Sequence, residues 1–187
     1  MSSVLRAPME LDAFLAWEAG QALRHEFDGF APVAMTGATY AHGLIQSNLL
    51  RAVGTRLRGG ACRIVGSDLK LLVAGSVRYP DAMVLCTPPD PGATLVTEPV
   101  VVFEILSPAT AFIDRIVKNR EYRATPSIRR YVLLEQDRPA ATVFAREGAD
   151  WLGRLVDADA ALDLPELGVT VPMGEIYEDV AFPDQVG

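Results

Sequence analysis

One short run constrains the fold of this chain more than any other feature. Residues 100–106 are apolar and mostly β-branched, and the single exception is Glu104. Such a run is typical of a strand covered on both faces, as at the centre of a sheet flanked by helices. An ionised carboxylate in that strand is costly unless it is paired, protonated or bound to a cation. The sequence therefore predicts a central strand with a compensated acid.

The remaining pattern predicts a mixed sheet flanked by helices. Helical periodicity predicts three helices, at residues 10–18, 39–57 and about 107–124. An Asp-Gly turn predicts a hairpin over residues 24–35. Further strand-like runs occupy residues 61–65, 69–74, 77–86, 131–135, 141–146 and 151–156. We interpret the first three of these as a β-meander, and the fold class as α/β (α+β), with a mixed central β-sheet, flanking helices and an amino-terminal helix and hairpin.

The composition is that of one globular domain over residues 1–187. Half of the residues are hydrophobic and 22% are charged, which is ordinary for a folded chain. No stretch is long and uncharged enough to span a bilayer, and the amino terminus has no basic region followed by an apolar segment. We therefore expect a cytoplasmic protein with no membrane partner. Cys62 and Cys86 have no cysteine or histidine at metal-ligand spacing, and we expect both to be buried free thiols.

The net charge of −7 is unusual for an enzyme that acts on nucleic acid, because such enzymes usually carry a basic footprint. The charge is unevenly distributed, however. Residues 51–78 contain six basic side chains and one acid, and residues 114–130 contain six basic side chains and two acids. These segments are consistent either with contacts to a phosphate backbone or with solvated helix faces.

A second acid enters an apolar strand before Glu104. Asp81 lies directly after Pro80 and directly before the apolar residues 82–86. If the two strands are neighbours, the carboxylates approach closely, and their repulsion favours a divalent cation between them. Carboxylate oxygens suit Mg²⁺ or Mn²⁺. The alternatives are a turn acid at a strand end for Asp81 and, for Glu104, an ion pair with the following helix.

Both acids belong to a series of ordered motifs. The motifs are Glu26-Phe27-Asp28-Gly29, His42, Tyr79-Pro80-Asp81, Glu104-Ile105-Leu106-Ser107-Pro108-Ala109-Thr110, and Asp114-Arg115 with Lys118 and Tyr122. With them, the sequence resembles the PD-(D/E)XK nuclease superfamily, and more specifically the bacterial Uma-type family of restriction endonucleases. The resemblance spans residues 26–131. It implies a restriction-endonuclease-like fold, hydrolysis of nucleic acid, most often DNA, with Mg²⁺ or Mn²⁺, and a plausible homodimer.

The resemblance also implies roles for individual residues. Asp81, Glu104 and the backbone carbonyl of Ile105 would hold the metal. Leu106 stands where the motif name expects lysine, and Lys118 on the next helix would replace it as the catalytic lysine. The alternative for Lys118 is a surface ion pair with Asp114 four residues earlier. That helix is expected to pack through the apolar residues Phe112, Ile113, Ile116 and Val117.

Three accessory residues carry alternatives of their own. Glu26 would be a metal-proximal acid or an exposed hairpin acid. His42 would contact phosphate, or it would cap or pack the long helix. Tyr122 would orient Lys118 or simply pack. Contacts to the nucleic-acid backbone are expected from Arg56, Arg58, Arg115 and Arg120.

Two other functions fit the same residues. A catalytically inactive module with a nuclease fold would bind DNA or a partner protein and keep the carboxylates as an ion-pair cluster, and the low basic content favours it. A metal-dependent hydrolase of small phosphoesters would use the same carboxylates on a different substrate.

Overall fold

The structure is a computed structural model that describes residues 7–35, 37–108 and 110–182. Its α-helices are α1 (Leu11–Glu18), α2 (Tyr40–Arg56), α3 (Asn119–Ala124) and α4 (Met173–Ile176). A π-helix, Ile113–Lys118, leads directly into α3, and a 3₁₀ turn spans Pro165–Leu167. Among the described helices, none combines the length and apolar character that crossing a bilayer requires.

The described strands form three sheets. They are β1 (His25–Phe27), β2 (Pro32–Ala34), β3 (Arg63–Gly66), β4 (Lys70–Val73), β5 (Ser76–Arg78), β6 (Ala82–Leu85), β7 (Leu95–Val96), β8 (Val101–Ile105), β9 (Arg130–Leu134), β10 (Ala141–Glu147), β11 (Asp150–Val156), β12 (Ala161–Leu164) and β13 (Val169–Pro172). The main sheet has the order β11-β10-β9-β8-β6-β3, the second sheet β2-β1-β5-β4-β7, and β12 pairs with β13.

Strand β8 lies inside the main sheet, as the sequence predicts, and all five of its residues are buried. It runs parallel to β9 and antiparallel to β6. Successive side chains of a strand point to opposite faces. Val101 and Phe103 therefore join the core cluster that includes Leu49 of α2, whereas Val102 joins the cluster that includes Tyr122 of α3. Glu104 shares the second face, toward the helix that was predicted to follow β8.

The predicted β-meander over residues 61–86 is wrong. The run 77–86 breaks at Tyr79-Pro80-Asp81, so that β5 pairs with β1 and β4 in the second sheet. Strand β6 pairs instead with β3 and β8 in the main sheet. The break follows from Pro80, because proline has no N–H for a central ladder. Asp81 consequently lies where the chain crosses from one sheet to the other.

The two cysteines form a disulfide, so the expectation of two buried free thiols is wrong. Cys62 precedes β3 and Cys86 follows β6, and the pairing of Arg63 with Leu85 places the cysteines opposite each other. The meander interpretation concealed this neighbourhood, because it did not pair β3 with β6. Residues 161–172 form a further hairpin, made of β12 and β13.

The third predicted helix exists, but its packed side is inverted. Phe112 and Ile116 are 70% and 58% exposed, and Ile113 is also exposed. Asp114 and Lys118 are buried instead. The helix turns its charged side inward because Lys118 reaches the buried carboxylate of Glu104. Pairing with that acid takes precedence over the apolar pattern.

Candidate active site

Asp81 is held in place at the crossing between the two sheets. Its Oδ2 accepts a hydrogen bond from the backbone N–H of Ile105 at 2.7 Å. Its carbonyl accepts one from Nε2 of Gln46 on α2, also at 2.7 Å. Because β6 pairs with β8, Asp81 lies beside Glu104 and Ile105. The strands of the two predicted acids are therefore neighbours.

Glu104 is almost fully buried and accepts two hydrogen bonds at one oxygen. Nζ of Lys118 and the hydroxyl of Tyr122 donate to its Oε1, at 3.0 and 2.8 Å. Burial raises the pKa of Glu104 well above its ordinary value. Lys118 acts in the opposite direction, and the neighbouring acids, Asp114 and Asp81 among them, raise the pKa further.

Lys118 lies among three carboxylates. Its Nζ is 3.0 Å from Oε1 of Glu104, 3.1 Å from Oδ1 of Asp114 and 3.3 Å from Oε1 of Glu26. Burial lowers the pKa of Lys118, but the three carboxylates outweigh that effect, and the pKa stands well above its ordinary value. Lys118 is therefore a buried ammonium ion, and the alternative of a surface pair with Asp114 is wrong, because both partners are buried.

Glu26 is a member of this cluster and not an exposed hairpin acid. It lies on β1, and its side chain is 12% exposed. Its Oε2 accepts a hydrogen bond from Nη1 of Arg78 at 3.1 Å, and its Oε1 accepts one from the backbone N–H of Tyr79 at 3.2 Å. The second sheet thus supplies one of the three acids around Lys118, and the main sheet and the π-helix supply the other two.

Sequence reasoning missed two residues of the centre, Arg78 and Glu121. Arg78 is 2% exposed, and its guanidinium donates to both carboxylate oxygens of Glu121 at 2.7 Å. Ser76 donates to the same acid at 2.9 Å. The sequence provides little signal for Arg78, because this residue follows a single apolar residue, Val77, after Gly75 and Ser76.

His42 contacts Asp81 and does not cap its helix. Its Nε2 lies 3.2 Å from Oδ2 of Asp81, while the helix cap is Thr39, whose hydroxyl accepts from the backbone N–H of His42 at 3.2 Å. Burial lowers the pKa of His42, but the hydrogen bond to Asp81 and the charges of Asp81 and Asp114 outweigh it and raise the pKa. His42 Nδ1 is buried without a hydrogen-bond partner among the described residues.

The centre contains more carboxylates than cations. Four acids contact two buried basic side chains, and the contacts join Glu26, Glu104, Asp114 and Glu121 to Arg78 and Lys118. Asp81 adds a fifth carboxylate beside Glu104, and its partner is His42. Together with burial, such an excess raises the pKa of Glu104, and it would be stabilised by a further cation.

The donors fit a hard divalent cation in their chemistry. Carboxylate oxygens and a backbone carbonyl are the ligands that Mg²⁺ and Mn²⁺ prefer. The negative charge of the carboxylates also exceeds the positive charge of the basic side chains around them. Within the described part of the chain, however, no three or more His, Cys, Asp or Glu side chains form a ready-made group around one ion. Lys118 and His42 instead contact the carboxylates of Glu104 and Asp81.

The four predicted arginines lie outside the centre. Arg56, on the last turn of α2, forms two hydrogen bonds with Glu175, and Arg58 is exposed after the same helix. Arg115, on the π-helix, pairs with Glu135. Arg120 is exposed on α3 and lines a shallow groove there.

Comparisons with known proteins agree with this architecture. The model of the Uma2 family, described as "Putative restriction endonuclease", matches residues 11–174. The uncharacterized protein slr1290 of Synechocystis sp. is 32% identical over 175 residues, which cover 91% of this chain and 92% of that protein. A second Synechocystis protein, sll1609, is 31% identical over 109 residues, 56% of this chain and 62% of that protein.

A solved structure shares the fold. It is the crystal structure of a "putative nuclease belonging to DUF820" from Anabaena variabilis. The match has a TM-score of 0.76 at 16% sequence identity, and it covers 93% of this chain and 100% of that chain. The predicted fold class, a mixed sheet flanked by helices as in nucleases of this type, is therefore confirmed.

Proposed function

This chain belongs to the Uma2 family, and from that premise we propose that it is a metal-dependent endonuclease that hydrolyses phosphodiester bonds of nucleic acid, with DNA as the principal substrate. The observation that carries the proposal is the buried excess of carboxylates around one lysine, where β6 meets β8. Structural ion pairs are normally balanced, because a buried unpaired charge is costly. An excess of acid next to a retained ammonium ion is what a site for a cation and an anionic substrate requires.

Asp81, Glu104 and the carbonyl of Ile105 would hold the ion, and Glu26 would contribute to its surroundings. When bound, Mg²⁺ or Mn²⁺ would polarise a phosphoryl oxygen and lower the pKa of a water molecule. Asp81 is already oriented by the backbone N–H of Ile105. Tyr122 orients Glu104 through the hydrogen bond to Oε1, so both carboxylates are positioned before any ligand arrives.

Lys118 acts as a cation and not as a base. Three carboxylates keep its amine protonated, so it has no lone pair with which to remove a proton from water. Its ammonium group instead donates hydrogen bonds and offsets the negative charge that grows on the phosphate oxygens as the bond breaks. Asp114 and Glu26 hold this group in position. His42 would help to hold Asp81 in position through its Nε2.

The test compares cleavage by isosteric variants. We expect Mg²⁺- or Mn²⁺-dependent cleavage of DNA by the native chain, and loss of at least about a hundredfold in kcat in Asp81→Asn and Glu104→Gln, the usual scale for a group that stabilises a transition state. Asp157→Asn, at an exposed position after β11, is the matched control and should cleave normally. Undiminished cleavage by both site variants would refute the assignment.

A catalytically inactive module is the second candidate, and the ammonium contact at Glu104 favours it, because an ion pair there would satisfy the acid without metal. Titration with Mn²⁺ in a calorimeter separates the two functions. Heat that disappears in Glu104→Gln supports the endonuclease, whereas an intact fold with no heat supports the module. Cleavage of a nucleotide ester, but of no polymer, would identify a hydrolase of small phosphoesters instead.

A further inference from the structure

The segment that carries Lys118 also has an outer face of unusual composition. We define the outer face as the exposed side chains of Phe112, Ile113, Arg115, Ile116, Arg120 and Arg123. Phe112 and Ile116 are more than half exposed, although contiguous apolar side chains on a protein surface usually mark a binding site. Among the described residues, both side chains therefore remain accessible to a ligand.

The outer face is cationic because the acids of this segment point inward. Asp114 and Glu121, its only acids, are buried against Lys118 and Arg78. A groove of about 290 Å³ runs along this face, and three of the five residues that line it are arginines: Arg115, Ile116, Asn119, Arg120 and Arg123. Arg115 forms an ion pair with Glu135, so Arg120 and Arg123 supply most of the positive charge of the outer face.

We propose that the outer face binds single-stranded nucleic acid, with an unpaired base against Phe112 and Ile116 and the backbone phosphates along Arg120 and Arg123. This inference rests on the proposed function and names the form of its substrate. Proteins that bind single strands combine a basic groove with exposed rings on which bases stack. Both features lie here on one short continuous stretch of chain.

The apolar side chains distinguish a single strand from a duplex. In a duplex the bases stack on one another, and its outer surface offers phosphates and sugars, from which Phe112 and Ile116 gain little. An unpaired base offers an apolar face that can cover these side chains. The arginines alone would bind either form, so the ring of Phe112 and the aliphatic side chain of Ile116 would determine the preference for a single strand.

The charge also argues against a second copy of the chain on this face. A two-fold contact uses the same patch on both partners. It would bring Arg120 and Arg123 of one copy toward the same arginines of the other, and such juxtaposition of like charges is unfavourable. An anionic ligand meets no such repulsion.

The outer face and the candidate active site share the π-helix but lie on opposite sides of it. Phe112 and Ile116 lie two residues before and two residues after Asp114, and Lys118 ends the same helix. A strand held on the outer side of this helix therefore runs past the element that points Lys118 at Glu104. The outer face would therefore hold the strand on one side of this segment, while Lys118 and the carboxylates lie on the other.

The experiment measures binding without cleavage. Asp81→Asn protein serves as the parent, and the probe is a fluorescein-labelled strand of roughly 20 nucleotides, free or annealed to its complement, in an anisotropy titration. We expect Phe112→Ala to raise the Kd for the single strand roughly 5- to 150-fold, the range that about 1–3 kcal/mol per stacked base implies. The Kd for the duplex should change less than about twofold, since a duplex leaves no base free to stack. Leu155→Ala, which removes another exposed apolar side chain on β11, is the matched control and should leave both constants unchanged.

Each remaining outcome has a defined meaning. Equal single-strand affinity in the parent and in both Phe112→Ala and Ile116→Ala overturns the inference. So does a dimer in sedimentation that these variants dissociate, because a second copy would then cover the face. If the native chain cleaves DNA while Phe112→Ala binds single strands normally, only this inference fails. If Phe112→Ala loses single-strand binding while no protein cleaves, the surface stands and the endonuclease proposal fails.

Discussion

Two helical segments pack on opposite faces of β8, and they differ in the kind of side chain that they bury against it. Helix α2 buries Ile45, Leu49 and Val53 and so stabilises the fold through apolar burial. The π-helix and α3 bury Asp114, Lys118 and Glu121 and leave apolar side chains in solvent. The difference shows that one face of the sheet maintains the structure, while the other gives up part of its apolar burial to assemble charged groups.

The largest loss of stability should come from removing Lys118, the central cation of the segment formed by the π-helix and α3. Lys118→Met leaves three buried carboxylates without their common partner, and we expect a loss of about 3–5 kcal/mol in the free energy of unfolding. Urea denaturation measures it. Arg120→Met, an exposed substitution in the next helical turn, is the control and should cost far less. Similar losses of stability in Lys118→Met and Arg120→Met would mean that the buried ion pairs do not stabilise the fold more than an exposed charge does.

Truncation of a buried apolar side chain on α2 should lower the free energy of unfolding slightly less, and this loss should not depend on pH. Leu49→Ala removes a fully buried side chain and is expected to cost about 3 kcal/mol through lost burial and a cavity. Because Leu49 lies in a cluster of buried apolar side chains, the cost should be the same at acidic and neutral pH. A cost that varies strongly with pH would break the contrast between the two faces.

Divalent cations should stabilise the charged face more strongly as pH rises. The pKa of Glu104 is raised in the folded protein, so its protonated form contributes stability below the ordinary carboxyl pKa, and that stability is lost as pH rises through the folded value. A cation replaces the proton there. We expect Mn²⁺ at about a hundred times its Kd to add about 2.7 kcal/mol near neutral pH and much less in acid.

Thermal unfolding with and without Mn²⁺ at two pH values measures this dependence. Glu104→Gln should abolish the response to the ion, because it removes the charge that the ion neutralises. Asp157→Asn should preserve it. Stabilisation by Mn²⁺ that persists unchanged in Glu104→Gln would place the ion elsewhere in the protein.

The smallest change in stability should come from a substitution on the outer face. Ile116→Ala deletes an apolar side chain that is 58% exposed, and exposed substitutions usually change the free energy of unfolding by less than about 0.5 kcal/mol. Comparison with Leu49→Ala in the same urea assay checks this. A large loss from Ile116→Ala would mean that the side chain packs, and it would remove the basis for a binding face.

Much of the fold follows from sequence because local patterns determine it. The apolar run around Glu104 predicts β8, the spacing of Leu49 and Val53 predicts α2, and the Asp28-Gly29 turn predicts the first hairpin, all as observed. The disulfide of Cys62 and the crossing at Asp81 depend on which strands pair, and pairing between distant segments leaves no local signature. Strand identity is therefore easier to predict than strand partners.

The centre was only partly predictable for a related reason. Glu104 and Asp81 are conspicuous because each is an acid in an apolar run, and Lys118 and Glu26 come from the family resemblance. Arg78 stands in a short strand, and its burial depends on Glu121 far along the chain. The inversion of the π-helix had the same origin, since periodicity weighs apolar side chains and takes no account of buried ions that attract one another.

The crossing at Asp81 has a consequence for folding. Glu26 comes from a hairpin of the second sheet, Glu104 from the middle of the main sheet, and Lys118 from a helix that follows both. Contacts between segments so distant along the chain form late and slowly compared with local turns and helices. A nascent or partly unfolded chain therefore holds no complete constellation, and a nuclease built this way would reach its reactive arrangement only once both sheets have docked.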